Sequence, residues 1–473
     1  MPPYNQGTNR QAQRASHILQ KLLPEYAVYA LEILERAGFE AWIVGGWVRD
    51  ALLGSVTHDI DITTSAHWEQ TAETYRAAGY VVHETGTKHG TVTVVVSGHP
   101  LEITTYRTEG TYSDHRHPDE VCFVDSIDKD LARRDFTVNA MAFHPRRGLL
   151  DPYHGRHDLQ QRCIRAVGDA QSRFEEDALR VLRAIRFACK LGFSIEKKTA
   201  DALSASAPRL AFVAQERIGN EMCAIMDAGV MARALRIGFD GVAAAVPELT
   251  AMEGFDQQSP YHAYDVCEHT ARVCAGVEAF SAGRASCALR WAALLHDVAK
   301  PKTFSEDVSH RGHFFGHPEV SAQMAQTILE SMAIPQSVVR QAIQLIRWHD
   351  LEIDKNIPSI RRFIATLDKG WVGGGALLAT QIIELKQADA LAKAPACREY
   401  ALELDDISRM VRQEIQKGVA QNPQDLAVSG TDIMQLLHIG PGPSVGMYLR
   451  QLFEAYLAGE VDNTREDLLA LLV

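Results

Sequence analysis

Two aspartates spaced two apart, in the run Asp59-Ile60-Asp61, are residues whose type and spacing could do chemistry. Alternate residues of a strand share a face, so the two carboxylates point one way while Ile60 and Ile62 point into a core. Upstream stand Gly45 and Gly46, where no Cβ blocks a ligand's approach to the backbone. Arg49 follows one turn into a predicted short helix, whose first amides suit an anion. Together they make a cradle for a triphosphate facing two acids able to hold Mg2+. The plainer alternative is a solvated strand edge beside a tight turn.

Three further groups could serve the same site. Glu102, between Leu101 and Ile103, would be a third carboxylate if its strand lies beside that of Asp59; otherwise it is a surface acid on an edge. Arg133 and Arg134, beside Asp135, could clamp phosphates, with Asn139 as a ribose partner. In 175–189 (EEDALRVLRAIRFAC), Ala178, Val181, Leu182, Ile185 and Cys189 form an apolar helix stripe, with Asp177, Arg180, Arg183 and Arg186 on the other side. Asp177 and Arg180 are three apart and so neighbours. An acceptor beside donors matches the edges of cytosine and adenine and mismatches guanine and uracil. The competing account is a surface salt bridge.

A second constellation lies further along. His269, His296-Asp297, His313, His317, His349 and Asp389 fall on separate predicted helices, the way a helical bundle builds a metal site.

The elements that must position these groups follow from pattern. Helical apolar spacing runs over 16–38 with a break at Pro24, and residues 1–15 read as disordered. Strands are expected at Ala41–Val44, Ile60–Thr63, Thr91–Val96 and Leu101–Tyr106, and a mobile loop over 109–130. From about Asp169 helical periodicity dominates, giving an α+β chain: an α/β head followed by an all-α remainder. Residues 400–473 are helical with one Gly/Pro break at 438–443, and Asn463 to Asp467 is a capping pattern.

The 473 residues are 46% hydrophobic and 23% charged, as in a water-soluble globular chain. No apolar run nears the roughly 20 residues that span a bilayer. Eight cysteines without a CxxC pair point to neither disulfide framework nor zinc ribbon, and a cytoplasmic location is expected. A net charge of −12 argues against indiscriminate coating of nucleic acid. Residues 131–190 nonetheless hold twelve Lys/Arg against seven Asp/Glu, room for a local basic groove.

With these residues in hand, GGWVRD followed by DID resembles the signature of class II nucleotidyltransferases of the polymerase-beta superfamily. RRDFTVNA, EDALRVLRAIRF and ERIGNEM (Glu216–Met222) resemble the next motifs of tRNA nucleotidyltransferases, the CCA-adding enzymes. HAYDVCEHT, LLHDVAKP and QADA resemble the metal-binding motifs of HD domains found in many bacterial members.

The resemblance implies the following. Residues 1–39 form a helical extension, 40–165 the catalytic head, 166–255 a neck that reads the base, 256–399 an HD-type body and 400–473 a tRNA-binding tail. Asp59 and Asp61 hold Mg2+, with Glu102 as third acid. Gly46 and Arg49 touch the triphosphate and Arg134 the incoming nucleotide. Asp177 and Arg180 read the base, assisted by Arg183 and Arg186. His269, His296, Asp297 and Asp389 ligate a second divalent metal (Mn, Ni, Mg or Zn). The partners implied are CTP, ATP and the acceptor arm and 3′ end of tRNA. The loop residues Asp114-His115-Arg116 are similar to the family's loop motif, and His117 stands where a second arginine is common. Alternatives are an A-adding enzyme, a poly(A) polymerase, or an HD-domain phosphohydrolase whose head only binds nucleotide. The stretch Gly86 to Val92 looks like the CCA-adding pattern rather than that of the poly(A) polymerases.

Overall fold

The computed structural model describes residues 6–55, 57, 59–109, 121–367 and 374–473. It divides into two compact units, residues 1–221 with 238–245, and residues 222–237 with 246–473.

The first unit is built on a mixed seven-stranded sheet. Two helices lead in, α1 (Gln6–Leu22) and α2 (Glu25–Arg36), with Pro24 capping the second. Residues 6–15, expected to be disordered, are helical. Ala15 and Leu19, four apart, are buried, and Leu149 N donates to Ser16 Oγ at 3.2 Å, so α1 is tied to the sheet. Then come β1 (Ala41–Val44), α3 (Gly46–Leu52), β2 (Asp61–Thr64), α4 (Trp68–Ala77), β3 (Val81–Gly86), β4 (Thr91–Val96) and β5 (His99–Thr105). The chain continues through a small ladder of β6 (Arg107–Glu109) with β7 (Val121–Phe123), then α5 (Ile127–Ala132), β8 (Ala142–His144) and β9 (Gly148–Leu150). Strand order is β3-β4-β5-β2-β1-β8-β9. The pair that matters is β2 and β5, parallel, with Asp61 opposite Glu102. Ile60, Ile62, Leu101 and Ile103 are buried beneath them.

The expected loop over 109–130 is shorter than read, because 121–123 pairs with 107–109 and α5 follows at once. Asp114, His115, Arg116 and His117 lie outside the described residues. Beyond the sheet come α6 (Gly155–Gln161), α7 (Ala170–Glu176), α8 (Arg180–Leu191), α9 (Lys197–Ser206) and α10 (Gln215–Asp227), the last running past the unit border. The single helix expected over 175–189 is two. Asp177 ends α7 in extended backbone (φ −144°, ψ 103°), and its Oδ1 accepts from Leu179 N at 3.1 Å. A short polar side chain competing for backbone amides interrupts a helix that apolar spacing alone would continue.

The second unit is helical. It begins with α11 (Met231–Ile237); α12 (Phe239–Ala245) returns to the first unit. Its centre is α13 (Val266–Phe280), α14 (Cys287–Leu295), α15 (Lys300–Thr303), α16 (His317–Ser331), α17 (Gln336–Trp348), α18 (Ile357–Thr366) and α19 (Gly374–Ala392). α19 packs on α13 and on α20 (Arg398–Lys417). The end, α21 (Gly430–Leu437), α22 (Pro443–Leu457) and α23 (Arg465–Ala470), closes on its own core of Ile433, Leu452, Tyr456 and Leu468. The capping pattern is realised: Thr464 accepts from Asp467 N. Among the described residues no helix is long and apolar enough to cross a membrane.

Candidate functional site

The first unit holds a cavity of about 730 Å3 into which Gly45, Gly46, Asp59, Asp61 and seven arginines open. β2 supplies Asp61, Asp59 lies two residues ahead of that strand, and α8 and α10 supply Arg180, Arg183 and Arg217. Such a box of guanidiniums around a carboxylate pair suits a polyanion bridged by a cation.

The carboxylates behave as crowded acids. Burial, reinforced by Asp59 and Glu102, pushes the Asp61 carboxyl up to about 6 against the opposing pull of Arg134. A divalent cation held by Asp59 and Asp61 would relieve that repulsion, whereas Glu102, opposite Asp61 in register, is exposed and is not among the residues lining the cavity. Gly45, at φ +71°, has to be glycine: a Cβ there would sit 2.8 Å from Arg134 Nη1 and 3.8 Å from Asp61 Oδ2.

The basic wall is held by acids that the sequence reading passed over. Asp130, fully buried, accepts from Arg133 Nε at 2.9 Å and pairs with Arg134 at 3.6 Å. Arg134 Nε is buried without a hydrogen-bond partner, and burial lowers its pKa. Arg49 does not reach freely into the cavity. Its Nε and Nη2 donate to Asp50 at 2.7 and 2.9 Å, and its Nη1 donates to Asn139 Oδ1 at 2.7 Å. Asn139 Nδ2 donates in turn to Asp135 Oδ1 at 3.0 Å, and Arg183 grips Asp135 Oδ2 through Nε and Nη2 at 2.9 and 2.7 Å. Burial would raise the Asp135 carboxyl, yet Arg183 and Asn139 hold it down at about 2. Asp135 is therefore a brace between the sheet and α8.

Asp177 and Arg180 both line the cavity, but Asp177 is not on the helix with Arg180. Its Oδ2 accepts from Arg217 Nη2 at 2.8 Å. Arg180, buried, donates to Glu176 at 2.8 Å and to the carbonyls of Arg173 and Arg133 at 3.2 and 3.1 Å. Arg183 lines the cavity; Arg186 is not among the lining residues and donates from Nε to Glu221 Oε2 at 2.7 Å. His89, Arg107, Phe187 and Arg217 line the cavity and carried no assigned role. The signal for Arg217 was its place in ERIGNEM; that for Phe187 was an aromatic on the arginine side of α8.

The second unit gathers the histidines. His269 Nε2 lies 3.4 Å from Asp297 Oδ2 and 3.1 Å from Asp389 Oδ1, and His296 Nε2 lies 3.2 Å from Asp297 Oδ2. On the other carboxylate oxygen, His317 Nε2 is 3.3 Å and His349 Nε2 3.9 Å from Asp297 Oδ1. The Nδ1 atoms of His269, His296, His317 and His349 face the carbonyls of Ala392, Ala293, Phe314 and Ile346 at 3.4, 3.0, 2.9 and 2.6 Å. Donation there leaves each Nε2 as a lone pair, the arrangement of metal-bound imidazoles. His269 Nε2, His296 Nε2 and Asp297 Oδ1 are buried with no hydrogen-bond partner, while Asp297 Oδ2 faces Lys300 Nζ. Ligand atoms about 3 Å apart match an ion with bonds of roughly 2 Å, so this set fits a divalent metal. Lys300 and Lys393 flank it, 2.8 Å from Asp297 and 2.7 Å from Asp389. His313 stands apart, paired with Asp307 at 3.0 Å.

Four family models match along the chain. The model for the poly A polymerase head domain matches residues 41–165, the one for a probable RNA and SrmB-binding site of polymerase A matches 192–237, the HD domain 261–394, and a putative tRNA nucleotidyltransferase domain 2 matches 376–472. Head and cavity are thus of the nucleotidyltransferase class. The CCA-adding enzyme of Streptococcus mutans is 32% identical over 454 residues, covering 95% of this chain and 97% of its own. That of Lactobacillus delbrueckii subsp. bulgaricus is 49% identical over 195 residues, 41% of this chain and 48% of its own. The crystal structure of the Bacillus stearothermophilus CCA-adding enzyme in complex with CTP superposes with a TM-score of 0.67 at 28% identity, covering 95% of this chain and 97% of that one. The chain belongs to the family of CCA-adding enzymes.

Proposed function

We infer that the chain adds CCA to the 3′ end of tRNA, taking CTP and then ATP and releasing pyrophosphate. The observation that carries this is the convergence of Asp59 and Asp61, with Glu102 in register beside Asp61, on a cavity walled by arginines. Asp59 and Asp61 would hold a divalent cation, Mg2+ being the hard-oxygen choice; when bound it lowers the pKa of the attacking hydroxyl and stabilises charge at the α-phosphate. Gly45 and Gly46 line the cavity where the triphosphate would lie, and Arg134, whose guanidinium sits against Gly45, meets its charge from the same side. Arg49 contributes field and shape, because its donors are already engaged. Asp177, steadied by Arg217, with Arg180 and Arg183 beside it, presents the acceptor and donors that cytosine and adenine match.

No covalent intermediate is required, since in-line attack by the 3′ hydroxyl expels pyrophosphate directly. The head (40–165) and neck (166–255) would carry the reaction, with the body (256–399) and tail (400–473) gripping the acceptor arm. Eight free cysteines suit a reducing cytoplasm. The test is incubation with labelled CTP, ATP and a tRNA lacking its last three nucleotides. Full CCA addition supports the reading. Extension by A alone, or an untemplated A tract, would move it to the A-adding or poly(A) class.

A second activity is favoured by one observation, the buried and unpartnered Asp297 Oδ1 and the imidazole nitrogens of His269 and His296 beside it. There His269, His296, Asp297 and Asp389 would hold a metal, Mn, Ni, Mg or Zn, for phosphoester hydrolysis. Hydrolysis of a phosphodiester with Mn2+ or Ni2+ by a D61A chain tests it separately from the head.

A further inference from the structure

We propose that Phe187 is a positioning residue for nucleotide binding, its ring setting the places of the Arg49 and Arg183 guanidiniums in the head cavity. This rests on the reading of that cavity as the triphosphate site.

Phe187 sits at the edge of the buried face of its helix, where that face meets the arginines. The buried face of α8 runs from Leu182 through Ile185 and Val181 to Ala188 and Ala184, and Phe187 closes it. At about 100° per residue Phe187 lies roughly 200° round from Ile185, next to Arg183. It is 8% exposed and lines the cavity. Three guanidiniums pack on its ring: Arg186 at 4.5 Å from the centroid, Arg49 at 5.1 Å and Arg183 at 5.5 Å. Phe136, fully buried, meets the ring edge-on at 5.9 Å and 76°.

Like charges brought around one group repel, so their shared neighbour has to offset that. Asp50, Asp135 and Glu221 do so in the plane of the hydrogen bonds, and the negative face of the aromatic ring does so above and below. Arg49 comes from α3 and Arg183 from α8, and no hydrogen bond joins them directly; they meet through Asn139 and Asp135 on one side and through the Phe187 ring on the other. An aliphatic side chain of similar size would fill the space without a planar, electron-rich face. The two guanidiniums would then lose a wall and be held by hydrogen bonds alone.

The experiment replaces Phe187 with 4-fluoro-, 3,5-difluoro- and pentafluorophenylalanine, which drain the ring face while keeping its shape, alongside Phe187→Leu. CTP affinity is measured by calorimetry without tRNA, and KM and kcat in the addition assay. We expect the Kd for CTP to weaken stepwise along the fluorine series, reaching about five- to tenfold for the pentafluoro ring and for Phe187→Leu. KM for CTP and ATP should rise in parallel, with kcat and KM for tRNA within about twofold of the parent. A flat series, or a loss confined to kcat or to tRNA, overturns the proposal. If Phe187→Leu fails to fold, the fluorinated chains decide alone. Absence of CTP binding by the parent would instead refute the reading of the cavity.

Discussion

Asp61 on β2 stands opposite Glu102 on the parallel strand β5. The register brings a third carboxylate beside the pair spaced two apart and raises the charge that a cation would neutralise. Asp59→Ala or Asp61→Ala should therefore reduce nucleotide incorporation by at least about 1000-fold, roughly 4 kcal/mol of lost transition-state stabilisation. Glu102→Gln should fall between these and the parent. Filter binding should show tRNA affinity within about twofold in all three. Incorporation at parental rates by either aspartate variant would sink the metal assignment.

The carboxyl of Asp61, pushed up to about 6, has a consequence for stability in the metal-free protein. An unfolded aspartate titrates near 3.9. The folded chain then binds more protons than the unfolded one between about pH 4 and pH 6, so this group's contribution falls as pH rises through that window. In EDTA, Asp61→Asn should melt higher than the parent at pH 8, and the two should converge below about pH 4. Adding Mg2+ at pH 8 should raise the parent's melting temperature and leave the variant unmoved. A variant that melts lower than the parent at pH 8 in EDTA would contradict the sign.

The sequence was most informative where pattern and chemistry coincide. β1 and β4 fall at the residues expected, and β2 begins at Asp61, one residue later than expected. Asp59 and Asp61 share a cavity with Gly45 and Gly46, although only Asp61 is on the strand that was expected to carry both. β3, with no fully buried residue, has no apolar face to betray it. The break between α7 and α8 was invisible because the apolar stripe runs straight across it; the local bond donated by Leu179 N to Asp177 Oδ1 marks the interruption. Arg217 acts through Asp177, 40 residues away, and such pairing is not written in local spacing; Asp130, four residues before Arg134, was legible in the spacing and was passed over.

Base choice should depend on Arg217 as well as on Asp177. Arg217 Nη2 holds Asp177 Oδ2 at 2.8 Å from a different helix, fixing the carboxylate at the cavity wall. Asp177→Ala should relax rejection of UTP and GTP by about tenfold or more, since one unsatisfied polar contact is worth roughly 1–3 kcal/mol. Arg217→Met should move selectivity in the same direction by less, with CTP and ATP turnover reduced. Kinetics with each of the four nucleotides measure both. Unchanged discrimination by Asp177→Ala removes it from base reading.

Asp297 touches both histidine groups of the helical unit, His269 with His296 and His317 with His349. Losing it should empty the site. Asp297→Ala should lower bound transition metal, read by elemental analysis after dialysis, to about a tenth or less of the parent, since that carboxylate is common to both groups. CCA addition by the same variant should stay within about twofold. Parental metal content in Asp297→Ala would show that the ions bind elsewhere.

Stability of the second unit should hinge on a charge buried where no metal is involved. Arg361 is 2% exposed and Glu414 1%, and Arg361 Nε donates to Glu414 Oε2 at 2.7 Å. The same guanidinium donates to the carbonyls of Tyr456 and Val461 at 2.8 and 2.9 Å and lies 4.3 Å from the centre of the Tyr456 ring. It thereby ties α18 and α20 to the end of α22. Arg361→Ala removes five contacts, the fifth being the donation from Nη2 to Asp462 Oδ1 at 2.5 Å, and leaves Glu414 buried with only Lys417, at 2.8 Å, to answer it. The expected cost is about 3–5 kcal/mol in urea unfolding of that unit. Pairing Arg361→Met with Glu414→Leu should recover much of the loss, because an unpaired buried charge costs more than the pair itself contributes. If the single and double variants unfold alike, the backbone carbonyls rather than Glu414 are what Arg361 serves.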